Sequence, residues 1–326
     1  NEDNKAQIDA GEIAAMPYSS AEFIEKASGI KSRYIYQKEG ALDIKRMKPK
    51  ISPRGDDELS HQAEIAVEAA KLALASANLE AADIDAVIVS CAYTQRAYPA
   101  IAIEVQEALN IEGFGFDMLV ACSAAAFGMH RAYERLCAKN ASRGAVINPE
   151  LVSPQINYTD RDSHFIFGDV ATATVLELAE TAKSEHVYDV LSTKALTKFS
   201  NNIRSNFGYM TRAEDVDPYG PDKLFHQAGR KVFKEVCPMA AAHIEAHLAS
   251  HDLTPEGVKR WWLHQANINM NTLICKRLLG RDADRTEAPI VLDEFANTAS
   301  AGSVIAFGLN HEDLVSGDVG VLCSFG

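Results

Sequence analysis

Gly115-Phe116-Asp117-Met118-Leu119-Val120-Ala121-Cys122-Ser123-Ala124-Ala125-Ala126-Phe127-Gly128 reads as a strand running into a helix. An apolar run of strand length, Phe116 to Val120, gives way to small residues and then to a helical spacing of Met129, Ala132 and Leu136. Cys122 stands at the turn between the two. The unpaired N–H groups and dipole of a helix start favour negative charge, so a thiol there is expected to ionise more readily than a free one. The same stretch is also compatible with a buried cysteine acting as a small hydrophobe.

Working outward, apolar positions recur at helical spacing from His61 to Asn78, and Asp85 to Ser90 reads as a buried parallel strand. Ser20 to Ala27 and Ala102 to Leu109 read as helices, and Gly29 to Tyr36 as a turn into a strand. Ala145 to Asn148 and Ala171 to Leu178 read as strands, the latter after a bend at Phe165 to Asp169. Beyond residue 183 the pattern restarts, with Val187 to Leu196 strand-like and Leu224 to Leu248 mostly one long helix. Strands alternating with helices predict an α/β fold with a mainly parallel sheet.

The restart is a repeat. Leu79 to Ser90 (LEAADIDAVIVS) and Leu253 to His264 (LTPEGVKRWWLH) align without a gap, each entering an apolar strand. In that register His264 corresponds to Ser90, and Asn297 follows Leu253 at the remove, to within one residue, at which Cys122 follows Leu79. Asn297 sits in Asp293-Glu294-Phe295-Ala296-Asn297-Thr298-Ala299-Ser300, expected to be a strand-to-helix turn like that at Cys122. Cys122, His264 and Asn297 are thereby predicted to meet at the carboxyl edge of a duplicated sheet, where open α/β folds place their ligands.

The chain has 326 residues, 47% of them hydrophobic and 24% charged, with a net charge of -13. That balance is globular, and its acidity excludes a nucleic-acid partner, whose phosphates need a basic face. No apolar run approaches membrane-spanning length and the first residues do not resemble a signal peptide, so a cytoplasmic protein without a membrane partner is expected. The six cysteines are scattered, with no pair or Cys/His cluster at zinc spacing, and no dinucleotide fingerprint is present. Neither metal nor NAD is expected.

Ala121-Cys122-Ser123, His264-Gln265-Ala266-Asn267 and Asn297-Thr298-Ala299-Ser300-Ala301-Gly302-Ser303, in that order, resemble the β-ketoacyl-acyl-carrier-protein synthase III enzymes. The likeness extends to Ser28-Gly29-Ile30, Tyr98-Pro99, Asp160-Arg161, Phe167-Gly168-Asp169 and Ser324-Phe325-Gly326. It implies a thiolase-like fold of two pseudo-duplicated βαβ halves with mainly parallel central sheets packed in layers. The N-terminal half, 1–182, would carry the nucleophilic cysteine and the C-terminal half, 183–326, the histidine and asparagine. The implied activity loads an acyl group from acyl-CoA onto Cys122 and condenses it, with decarboxylation, with malonyl-ACP to give β-ketoacyl-ACP, the initiation of fatty acid biosynthesis. Both thioesters are substrates, and no resident cofactor is implied. The attacking thiolate splits one difficult exchange into two steps, and His264 and Asn297 would donate hydrogen bonds to the enolate oxygen formed as carbon dioxide leaves.

By the same resemblance Phe23, Arg161 and Asn267 would bind coenzyme A. Phe23 stands where the family often has a tryptophan, and Ala27 where it has an arginine. Tyr98 would close the acyl pocket of a partner subunit in a homodimer, and Lys234, Lys276 and Arg277 would dock the acidic carrier protein. Gln95 to Pro99 and Arg161 to His164 resemble members primed by medium-chain acyl groups, of β-ketodecanoyl type. The family has a strand before anything matching Asn1 and another after Phe-Gly, so a longer protein is expected at both ends. Two other readings fit the residues: a non-decarboxylating acyltransferase of the same family, or a non-catalytic scaffold subunit of a heteromeric complex.

Overall fold

In the computed structural model the described residues are 5–326 except 13, 16–18, 42, 44, 206–216, 218–219 and 221–222. The elements run α1 (Lys5–Asp9), α2 (Ala21–Ser28), α3 (His61–Ser76), β1 (Ala86–Cys91), α4 (Ile101–Leu109), β2 (Phe114–Leu119), α5 (Ala124–Cys137), β3 (Arg143–Glu150) and β4 (Val170–Glu177). They continue with β5 (Ile203–Ser205), β6 (Phe225–Gln227), α6 (Gly229–Ala249), β7 (Val258–Leu263), α7 (Ile268–Leu279), α8 (Leu292–Phe295), α9 (Ala301–Leu309) and β8 (Val319–Cys323).

Four strands form a sheet in the order β2-β1-β3-β4, in which β1 pairs parallel with β2 and β3, and β4 runs antiparallel to β3. Every residue of β1 is buried because both faces are covered. Val87 and Val89 pack with α3 and α4, whereas Ile88 turns to Ala132 and Leu136 of α5. Ser60 starts α3, its hydroxyl accepting from Ala63 N at 3.2 Å. The repeat has the same logic. β7 pairs parallel with β8; Trp261 and Leu263 face α6 and α7, and Trp262 faces α9. α9 touches α5 and both sheets, so α5 and α9 make the middle of a layered fold.

Glycines let both middle-layer helices approach. A Cβ on Gly128 of α5 would lie 2.7 Å from Val146 Cγ1 and 3.0 Å from Ser90 Cβ, and one on Gly302 of α9 would lie 2.9 Å from Gln265 Cβ.

Three expectations fail locally. Val187 to Leu196 joins no ladder among the described residues and is held by side chains instead. Ser192 Oγ meets His247 Nε2 at 2.6 Å and Thr193 Oγ1 meets His130 Nδ1 at 2.6 Å. The long helix begins at Gly229, because Phe225–Gln227 pairs with Ile203–Ser205. Gly29 to Tyr36 forms no strand.

Candidate active site

Cys122 lies in one turn of 3-10 helix, Ala121–Ser123, between β2 and α5. Ala121 before it has φ 45°, in the left-handed region that an alanine rarely enters. The sulfur is buried, and the ionisation expected from the helix start is reversed: burial pushes the thiol up to about 12, and the charge of Glu150 pushes the same way. A hydrogen bond from the backbone lowers it only in part.

His264 follows β7, its N–H donating to Cys323 O of β8 at 2.8 Å. The ring is 1% exposed and meets Phe325 edge-on, with centroids 5.1 Å apart. Burial lowers its pKa to about 4, so the imidazole is neutral at pH 7 and carries one N–H donor. Its Nδ1 is buried with no hydrogen-bond partner among the described residues, a cost that a ligand could remove. Gln265 anchors the turn: Nε2 donates to Leu263 O and Pro289 O, and Oε1 accepts from Val291 N and Leu292 N.

Asn297 is reached from the short helix α8 rather than from a strand, because only an isolated parallel bridge to Phe167 forms there. Its N–H donates to Ile166 O at 2.9 Å, its C=O accepts from Gly168 N at 3.1 Å, and its Oδ1 accepts from Ala299 N at 3.0 Å. The amide's two N–H donors thus face away from that last bond. Ala296, immediately before it, has φ 59°. Both halves therefore place a strained alanine directly ahead of the functional residue.

The segment Ser324–Gly326 touches both Cys122 and His264. Phe325 lies against His264, a Cβ on Gly326 would fall 2.6 Å from Cys122 Cβ, and Ser324 Oγ meets Ser303 Oγ at 2.8 Å beyond Asn297. Cys122, Phe167, Ala296 and Ala299 also share one apolar cluster.

Three other sequence-predicted residues gather around α2. The Arg161 guanidinium lies over the Phe23 ring at 3.9 Å. Asn267 caps α7, its Oδ1 accepting from Asn269 N and its Nδ2 donating to Ala27 O at 3.0 Å, so both ends of this amide are engaged. Tyr98 is 91% exposed and is not among the residues packed with Cys122. Lys234, Lys276 and Arg277 are exposed on the neighbouring helices α6 and α7, with Lys276 3.5 Å from Asp282.

Glu150, at the carboxyl end of β3, escapes the sequence reading. It is 0% exposed and accepts from Ala92 N and from both the N–H and the hydroxyl of Ser300. Burial raises its pKa to about 7. The one signal in the sequence is an acidic residue closing a strand whose middle, Gly144 to Ile147, is apolar.

Two family profiles match the chain: 3-oxoacyl-[acyl-carrier-protein (ACP)] synthase III over residues 116–195, and its C-terminal counterpart over 248–326. A protein of Pseudomonas aeruginosa named beta-ketodecanoyl-[acyl-carrier-protein] synthase is 54% identical over 326 residues, covering 100% of this chain and 93% of that one. A beta-ketoacyl-[acyl-carrier-protein] synthase III of Mycobacteroides abscessus is 32% identical over 80% of this chain and 76% of its own. Among solved structures, 3-oxoacyl-[acyl-carrier-protein] synthase III from Aquifex aeolicus superposes with TM-score 0.73 at 23% identity, over 93% of this chain and 86% of that one, which shows the fold. With its layered thiolase fold, the chain belongs to the 3-oxoacyl-[acyl-carrier-protein] synthase III family of condensing acyltransferases.

Proposed function

We propose that the chain primes fatty acid synthesis with a medium-chain acyl thioester, using Cys122 as nucleophile and His264 and Asn297 as hydrogen-bond donors. The observation that supports it is that one C-terminal segment meets two of them, Phe325 against the His264 ring and Gly326 against Cys122, while Ala296, next to Asn297, shares an apolar cluster with Cys122. Cys122 Sγ bonds to the acyl carbonyl carbon as the acyl–sulfur bond to coenzyme A breaks, and the thiol proton leaves with coenzyme A. Malonyl-ACP then loses carbon dioxide, leaving an enolate whose oxygen a neutral His264 N–H and the Asn297 amide can both bond. Its carbon attacks the acyl carbonyl and Cys122 leaves as thiolate, so atoms and charge balance. A neutral imidazole suits this role, since it donates without surrendering a proton.

The 54% identical relative supports the decanoyl-type product by its name, and therefore an eight-carbon primer. Phe23 and Arg161 would receive the coenzyme A base by opening their stack, and Asn267 would meet the chain of that ligand once its bond to Ala27 is exchanged. Lys234, Lys276 and Arg277 offer positive charge to the carrier protein. In this reading Tyr98, exposed on its own protomer, enters the acyl pocket of a second copy. The chain divides at 182/183 into the two halves, and the protein works in the cytoplasm.

Intact-protein mass spectrometry after mixing with acetyl-, hexanoyl-, octanoyl- and decanoyl-CoA tests the first step. The expected result is one octanoyl adduct, absent in Cys122→Ala and discharged by malonyl-ACP. An adduct discharged without malonyl-ACP by an alcohol or amine would favour a non-decarboxylating transferase, and no adduct with any thioester would overturn the reading.

A further inference from the structure

Between the nucleophile and the Asn297 loop runs a buried polar chain that no step above uses. Ser90 occupies the position in β1 that His264 holds in the repeat. Its hydroxyl donates at 2.6 Å to Ala124 O, in the first turn of the Cys122 helix, and its carbonyl accepts from Asn148 Nδ2 at 2.7 Å. Two residues further along β3, Glu150 receives Ala92 N at 3.2 and 3.0 Å on its two oxygens. The same carboxylate receives Ser300 N at 3.2 Å and the Ser300 hydroxyl. Ser90, Asn148, Glu150 and Ser300 are all fully buried. Every group bonded to Glu150 is a donor, so the form that satisfies them is the carboxylate, which only accepts.

We propose that Glu150 is a positioning residue for the decarboxylation step, holding the Asn297 loop in register with the strand ends that carry Cys122. The chemistry favours this over simple packing. An apolar residue would fill the same space without burying a charge, whereas only an acceptor-rich group can fix Ser300 through two donors at once. Ser300 lies three residues beyond Asn297 and opens α9. A shift of this loop moves the Asn297 amide but leaves the start of α5 in place. The predicted defect is therefore confined to one half-reaction.

The inference rests on the condensing-enzyme reading, so its test has one arm that needs no catalysis. Glu150→Gln keeps one acceptor oxygen and removes the charge; Ser300→Ala removes the hydroxyl alone and guards against a Glu150 variant that fails to fold. Hydrogen exchange should speed up in the backbone amides of residues 297–303 in both variants, with peptides around Cys122 unchanged. In assays, loading of Cys122 by octanoyl-CoA should stay within about threefold of wild type, while malonyl-ACP decarboxylation falls by about tenfold to a hundredfold. Exchange unchanged at 297–303 would overturn the proposal, as would equal loss in both half-reactions. A wild-type protein that loads no acyl group and releases no carbon dioxide would instead count against the condensing-enzyme reading, leaving the exchange arm to decide the role of Glu150.

Discussion

At Cys122 two effects oppose each other. The helix start favours the thiolate, yet the sulfur is shielded from water and pushed up to about 12, so in the unliganded protein burial wins. Labelling of Cys122 by a small thiosulfonate is expected to accelerate about tenfold per pH unit between pH 7 and 9. A plateau below pH 8 would show that the helix start prevails. Ala121 and Ala296 carry a left-handed backbone whose cost, roughly 1–2 kcal/mol for an L-residue, glycine does not bear. Ala121→Gly should leave the thermal midpoint equal to or above that of wild type, whereas Ala121→Val should lower it. Glu150 titrates against folding with a definite sign: its pKa rises from 4.5 to about 7, so the folded state binds the extra proton. Relative to Glu150→Gln, the wild type should gain on the order of 3 kcal/mol as pH falls from 8 to about 4.5, with denaturant unfolding as the measurement. His264, lowered to about 4, works in the other direction below pH 6.5 and is common to both proteins.

The elements carry the site through two close approaches. Gly128→Ala would drive a methyl into Val146 and Ser90, and Gly302→Ala into Gln265. Each should cost about 1–3 kcal/mol. Gly302→Ala should in addition depress decarboxylation, because α9 begins just past Asn297; thermal unfolding beside a carbon dioxide assay separates the two effects. What could be read from the chain follows from what periodicity encodes. β1 and β7 were legible because both faces of each are covered and both ends align in the repeat. Val187 to Leu196 was not, since its pattern does not distinguish a strand from an extended segment held by side chains such as Ser192 and Thr193. The turn at Asn297 was expected to follow a strand, and it follows the short helix α8 instead. Glu150 was invisible because its significance lies in Ser300, half a chain away.

On the scale of the whole molecule, each sheet has its own core on its outer face, and α5 and α9 form the layer they share. Glu150 adds a polar tie through the same layer. One cooperative unfolding transition is therefore expected rather than two. The chain supplies its own means of checking. Its two tryptophans are adjacent in β7, one facing α6 and α7 and the other edge-on to Phe307 at 4.9 Å. Intrinsic fluorescence consequently sees the second sheet, while far-UV circular dichroism averages every helix. Coincident midpoints by the two signals would show that the layers come apart together; an emission change that precedes the loss of ellipticity would show the second sheet opening first. Because Trp262 stands two residues before His264, the same emission also gives a label-free optical readout at the threshold of the site.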